Sequence, residues 1–194
     1  MAFSLKTRAL GLIGAAALSL TMVAPALAVD TVSLAVTPGS RSASVADLTL
    51  TSVAYSHAVQ AQTGSMTLTA NDATGSGAGW NVTILSSAFA YTGTNGGTAI
   101  PAVNFSLASA AAPAMTAGQA VDATGTDVAP TGPQLGALAG VSGTLETARK
   151  VLRAGAAYGQ GTYTQGLNVS LSIPAQSRAG TYTGTLTTTI AAAP

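Results

Sequence analysis

Apolar side chains return at every second position along much of this chain, and period two is the signature of strands that bury one face. In "TVSLAV" they are Val32, Leu34 and Val36. "SVADLTLTSVAY" sets Leu48 and Leu50 in one phase and Val53 and Tyr55 in the other, which predicts a bulge or turn near Ser52. "GSMTLTA" offers Met66 and Leu68, and "GWNVTIL" offers Trp80, Val82 and Ile84. "IPAVNFSLA" adds Val103, Phe105 and Leu107, while "GTYTQGLNVSLSIP" adds Leu167, Val169, Leu171 and Ile173. In the closing run, "AGTYTGTLTTTI", Tyr182, Leu186 and Ile190 are in phase and threonines occupy the other face, as β-branched residues do on a pleated surface.

Turn residues separate these runs, in "TPGSR", "NDATGSGAG", "GTNGG" and "IPAQSRAG". About seven to nine short strands at such spacing predict an all-β fold, an immunoglobulin-like antiparallel β-sandwich. Two stretches stand apart. Residues 108–140 are rich in Ala, Gly and Pro and predict a long loop excursion, with one short strand near Gln119–Val121. Residues 144–159, "TLETARKVLRAGAAYG", fit a strand through Val151 with Arg149 and Arg153 facing water, or a helix on which Leu145, Ala148 and Leu152 share a face; the strand is favoured.

The first residues change the picture of compartment. Lys6 and Arg8 precede an apolar run from Ala9 to Val23, and Ala26-Leu27-Ala28 is a small-residue cleavage pattern. Residues 1–28 are therefore expected to be a cleaved signal peptide, with a single domain over 29–194 and no membrane anchor after cleavage. That segment would retain five basic residues (Arg41, Arg149, Lys150, Arg153 and Arg178) and six acidic ones, a net charge of about −1. Nucleic acid is not an expected partner, because Arg149, Lys150 and Arg153 are the only basic cluster. With no cysteine, an exported chain must rely on its core alone.

Candidate chemistry is sparse. A Ser-His-Asp arrangement would have to use His57, the only histidine, and the acids show no paired pattern. Asp72 in "NDATGSG" and Asp122 with Asp127 in "VDATGTD" resemble oxygen-rich calcium loops, but Asx-turns account for the same residues. The expectation is a non-catalytic protein with no cofactor and no metal site.

Two blocks, "GSMTLTANDATGSGAGWNVTI" and "LNVSLSIPAQSRAGTYTGTLTTTI", resemble the WxL-domain family of secreted bacterial surface proteins. The most specific part is the closing block, with Leu171, Ile173 and Pro174 at a strand end, then Gly180 and Tyr182, then Leu186 and Ile190 in the last strand. Trp80 stands at the first Trp-x-Leu motif, with Val82 in place of leucine; the second motif aligns with Thr188-Thr189-Ile190 and lacks its tryptophan. The resemblance implies an all-β domain, extracellular or wall-associated, that attaches non-covalently to peptidoglycan or wall glycan, or to other surface proteins. The alternative is a structural subunit of a surface layer or filament that assembles through strand edges. Trp80, the only tryptophan, shares its parity with Val82 and Ile84 and is expected in the core, which leaves Asn81 and Thr83 as the ligand-facing side chains.

Overall fold

The computed structural model describes residues 31–122, 131–136 and 142–192. The expected signal peptide, Asp127 and parts of the predicted excursion lie outside them. The chain divides into two compact units, Met1–Ala35 and Val36–Pro194; of the first, only residues 31–35 are described, and they form no strand.

Twelve strands make up the second unit among the described residues: β1 (Arg41–Val45), β2 (Gln60–Asp72), β3 (Trp80–Ser86), β4 (Ala90–Thr92), β5 (Phe105–Ala110), β6 (Ala114–Gly118), β7 (Gln134–Leu135), β8 (Gly143–Thr144), β9 (Arg149–Ala154), β10 (Gly161–Ile173), β11 (Thr181–Thr183) and β12 (Leu186–Ala192). The fold is all-β, and every pairing is antiparallel. One sheet runs β1-β2-β10-β5-β8, with β6 also on β10; the other runs β12-β3-β9-β7; β4 and β11 form a separate ribbon. The long axis is the β2–β10 pair, thirteen residues each, in register from Gly161 opposite Asp72 to Ile173 opposite Gln60.

Both sheets contribute to one core. β2 supplies Met66, Leu68 and Ala70; β10 supplies Tyr163, Leu167, Val169 and Leu171; β3 supplies Trp80, Val82 and Ile84; β9 supplies Val151, Leu152 and Ala154. Gln165 lies in the apolar row of β10, yet its Nε2 donates to Val151 O of the other sheet (3.1 Å) and to Ala111 O (3.0 Å), which satisfies the NH2 half of the buried amide. Trp80 is fully buried and tilted against Tyr163, with ring centroids 5.9 Å apart. Its indole Nε1 donates to Gly159 O at 2.8 Å. Glycine is required around this ring: Gly159 has φ 80°, and a Cβ there would meet Trp80 Nε1 at 2.7 Å. Gly79 has φ 68°, and a Cβ there would meet Ala154 O at 2.7 Å.

The base of the "NDATGSGAG" turn is held by charge. Arg41 and Asp72 are opposed across β1 and β2, with Arg41 Nη2 donating to Asp72 Oδ2 at 2.8 Å. Asp72 Oδ1 accepts from the Thr74 hydroxyl (2.6 Å) and the Thr74 N–H (3.0 Å), an Asx-turn. Burial works to raise the Asp72 pKa, but the hydrogen bonds from Thr74 and Arg41 and the guanidinium charge outweigh it and hold the carboxyl below its ordinary 3.8.

Several strand expectations are corrected. Val32, Leu34 and Val36 are 97%, 90% and 86% exposed, and residues 31–40 belong to no strand. Pairing starts where Arg41 finds Asp72, so alternation without a partner edge does not make a strand here. Residues 46–59 also form no strand: Leu48 and Leu50 lie over Gly64 of β2, where a Cβ would meet their methyls at 2.9 and 2.8 Å, so this segment covers a sheet face instead of lengthening an edge. Val103 falls in a 3-10 turn, Ala102–Asn104, after Pro101 and is 46% exposed; only Phe105 and Leu107 enter the core. The excursion carries two short strands among the described residues, Ala114–Gly118 and Gln134–Leu135, and neither is Gln119–Val121; Gln119 follows the first and its side chain binds Gln160 N (3.0 Å) and Ala157 O (3.3 Å). The closing run breaks at Gly184-Thr185 into β11 and β12. Residues 149–154 form a strand, but Arg149 is half-buried and donates to Thr144 O (3.0 Å), and a register shift at Val82/Thr83 lets Val151 and Leu152 both enter the core.

Trp80→Ala should destabilise the domain by about 3–5 kcal/mol in urea unfolding, as for a buried aromatic, with an added loss from the unpaired Gly159 carbonyl. Because the folded Asp72 pKa is depressed, its contribution is present above the unfolded value and is lost as pH falls through the folded one. The urea midpoint of the wild type should therefore drop on acidification below about pH 4, and Asp72→Asn should be less stable at neutral pH with a flatter acid limb.

Candidate functional site

The outer face of the second sheet is built by parity. With Trp80, Val82 and Ile84 buried, Asn81, Thr83 and Leu85 point the other way. The register puts Asn81 between Ala191 and Arg153, and Thr83 between Thr189 and Lys150. Thr187 lies opposite Leu85. Asn81, Thr83 and Arg153 are half-buried, while Lys150, Thr187 and Thr189 are exposed. The result is a three-strand-wide surface of hydroxyls and one carboxamide, with Leu85 exposed at one end and cations along one side.

A second feature is a cleft of about 590 Å³ at the other end of the molecule from the Asp72 turn. Its apolar lining comes from Leu48, Leu50, Phe89, Ile100, Leu171 and Ile173; its polar lining includes Gln60, Gln62, Tyr55 and Tyr182. The closing turn forms one wall and is pinned by aromatics. Tyr182 hydroxyl donates to Arg178 O (2.9 Å), Tyr91 hydroxyl donates to Ala179 O (2.9 Å), and the two rings lie 5.3 Å apart. Asn95 adds a bond from its Nδ2 to Ala179 O (2.8 Å), and its N–H donates to the Tyr91 hydroxyl (3.1 Å). Tyr91 fits because glycines surround it: a Cβ at Gly93 would approach its hydroxyl to 2.5 Å, one at Gly97 its ring to 2.6 Å, and one at Gly180 would overlap it.

The titratable candidates are accounted for separately. Asp72 is committed to Arg41 and Thr74, and Asp122 Oδ2 accepts from Thr131 N (3.1 Å). His57 is exposed and meets the edge of Tyr55 at 5.2 Å. Among the described residues, no three His, Cys, Asp or Glu side chains group as metal ligands would, and no helix is long and apolar enough to cross a membrane.

The structure brings together five of the closing-block residues, since Leu171, Ile173, Pro174, Gly180 and Tyr182 all line the cleft. Trp80 and Val82 do not line it; they are fully buried in the core, to which Leu171 also belongs. Leu186 and Ile190 are half-buried on β12, packed against that core. Thr188, at the second motif, lies opposite Ile84 on the inner side of β12, so both motif positions face inward on neighbouring strands. Phe89, Tyr91 and Ile100 were missed by periodicity, because they flank the glycine-rich "GTNGG" turn instead of sitting in an alternating run; an aromatic beside clustered glycines was the available signal.

Two antiparallel sheets around one core, with a polar sheet face and a cleft under the closing turn, define an all-β module. The family described as WxL domain surface cell wall-binding matches residues 21–194, and the chain belongs to it. No curated protein and no solved structure matches the chain. Membership associates the chain with the cell surface and with binding to cell-wall components.

Gly180→Ala tests the glycine cage. Although Gly180 is exposed, its Cβ would overlap Tyr91 and reach Thr92 O at 2.9 Å, so the substitution should lower stability by about 1–3 kcal/mol, as overpacking does. Thermal unfolding checks this; an unchanged melting temperature would mean that the turn is loosely held.

Proposed function

We propose that this is a secreted, non-catalytic protein of immunoglobulin-like sandwich form that holds to peptidoglycan or another wall glycan without a covalent bond. The family match over residues 21–194 carries the reading. The outer face around Asn81 and Thr83 supplies a fitting chemistry. Sugar polymers with hydroxyl, amide and carboxylate groups present hydrogen-bonding groups along an extended chain. A flat sheet face offers side chains across strands about 4.8 Å apart to match them. Thr83, Thr187, Thr189 and Asn81 donate and accept, and Lys150 beside Thr83 gives carboxylates a charge-assisted partner. The near absence of charge elsewhere suits a neutral glycan, and the loss of the second motif tryptophan removes an inward-facing ring, not a surface contact.

Cosedimentation of the purified chain with isolated peptidoglycan tests this. The protein should pellet with the wall. Lys150→Glu should weaken retention about tenfold, a change of ~1.4 kcal/mol in the range for a charge-assisted hydrogen bond. The double change Asn81→Ala with Thr83→Ala should weaken it further without lowering the melting temperature. Protein that stays in the supernatant at every salt concentration would refute wall attachment, and retention unaffected by these changes would move the contact elsewhere.

A further inference from the structure

The segment before β1 and the cleft under the closing turn are each incomplete, in complementary ways. Residues Thr31–Thr37 carry Val32, Leu34 and Val36 at every second position, all 86% exposed or more, and belong to no strand. A bare, alternating apolar segment of this kind is a strand without a sheet. The cleft is the reverse case. Its wall from Thr49 to Ala54 joins no ladder, and among the described residues the backbone of Asp47–Tyr55 makes no hydrogen bond. Behind that wall, Phe89, Ile100, Leu171 and Ile173 line about 590 Å³ of space. Added strands bind by this combination, with free main-chain groups for affinity and apolar space for alternate side chains.

We propose that Thr31–Thr37 of one molecule inserts as a strand beside Thr49–Ala54 of a second copy, with Leu34 directed into the cleft, and that the chain assembles head to tail in this way. A chain cannot fill its own cleft. Gly39 N donates to Ala73 O (2.9 Å) and Ala73 N to Ser40 O (3.0 Å), so residues 39–40 are fixed at the Asp72 end of β2. The cleft begins at Gln60 and Gln62, at the opposite end. The eleven steps from Gln62 to Ala73 span ~36 Å at about 3.3 Å each, whereas the five steps from Gly39 back to Leu34 reach only about 17 Å. The point where the segment is tethered, at Gly39, and the cleft therefore lie at opposite ends of β2. When each molecule gives its segment to the next and not back to its own donor, the contact propagates as an open chain or closes as a ring. The proposal uses neither Asn81 nor Thr83 and stands independently of wall binding.

The absence of cysteine makes the test direct. The chain beginning at Val29, carrying Leu34→Cys and Thr51→Cys together, should give a ladder of disulfide-linked dimers, trimers and higher species on mild oxidation. A control with Leu34→Cys and Ser65→Cys, the latter on the outer face of β2, should give no ladder. In light scattering, the mass of the wild-type chain should rise with concentration, and Val32→Asp with Leu34→Asp should hold it at the monomer with an unchanged melting temperature. A monomeric wild type, equal ladders from both cysteine pairs, or a Leu34–Thr51 cross-link confined within single chains would overturn the proposal.

Discussion

The hydrogen bond from the Trp80 indole to the Gly159 carbonyl, 2.8 Å long and fully buried, joins β3 to the turn that leads into β10. It thereby ties the second sheet to the long β2–β10 axis of the first. An indole brings a large apolar area into the core, but its N–H must find an acceptor there or cost the desolvation of an unpaired donor. The local chain meets that demand with glycine: Gly159 brings its carbonyl to the ring, and Gly79 lets β3 begin against Ala154. The alternation that buries Trp80, Val82 and Ile84 also fixes which side chains face outward, so the polar face depends on the same constraint.

The same solution appears a second time at the opposite end. Tyr91 is enclosed by Gly93, Gly97 and Gly180, and its hydroxyl anchors the closing turn through Ala179 O. In a chain without disulfides, an aromatic ring held by glycines and capped by one backbone hydrogen bond serves as the cross-link between distant segments. This gives the closing block of the family a physical meaning in this protein, since Gly180 and Tyr182 hold the rim of a cleft.

The strands legible in the sequence were those with a sheet on both sides or a core to fill. β3 and β10 matched their alternating runs because Trp80, Val82, Ile84 and the Leu167–Ile173 series have one face in the core. Alternation failed where no edge was available: Val32, Leu34 and Val36 have the pattern and no partner, while Leu48 and Leu50 are held on a face by the absent side chain of Gly64. Periodicity reports burial and cannot report pairing. For the candidate site, the outward pair Asn81 and Thr83 followed from parity alone, but their neighbours Lys150, Arg153, Thr187 and Thr189 depend on strand order, which the sequence does not state. The cleft was invisible for a related reason, because its lining comes from four separate stretches of chain.

Trp80 is buried as a structural ring, and because it is the only tryptophan its surroundings are directly observable. Its fluorescence should be blue-shifted in the native protein, resist quenching by acrylamide, and stay unchanged when peptidoglycan fragments are added at concentrations that bind the protein. A water-like emission that acrylamide quenches readily, or a spectral shift on adding those fragments to a protein that remains folded, would contradict it and move the ring to the binding surface.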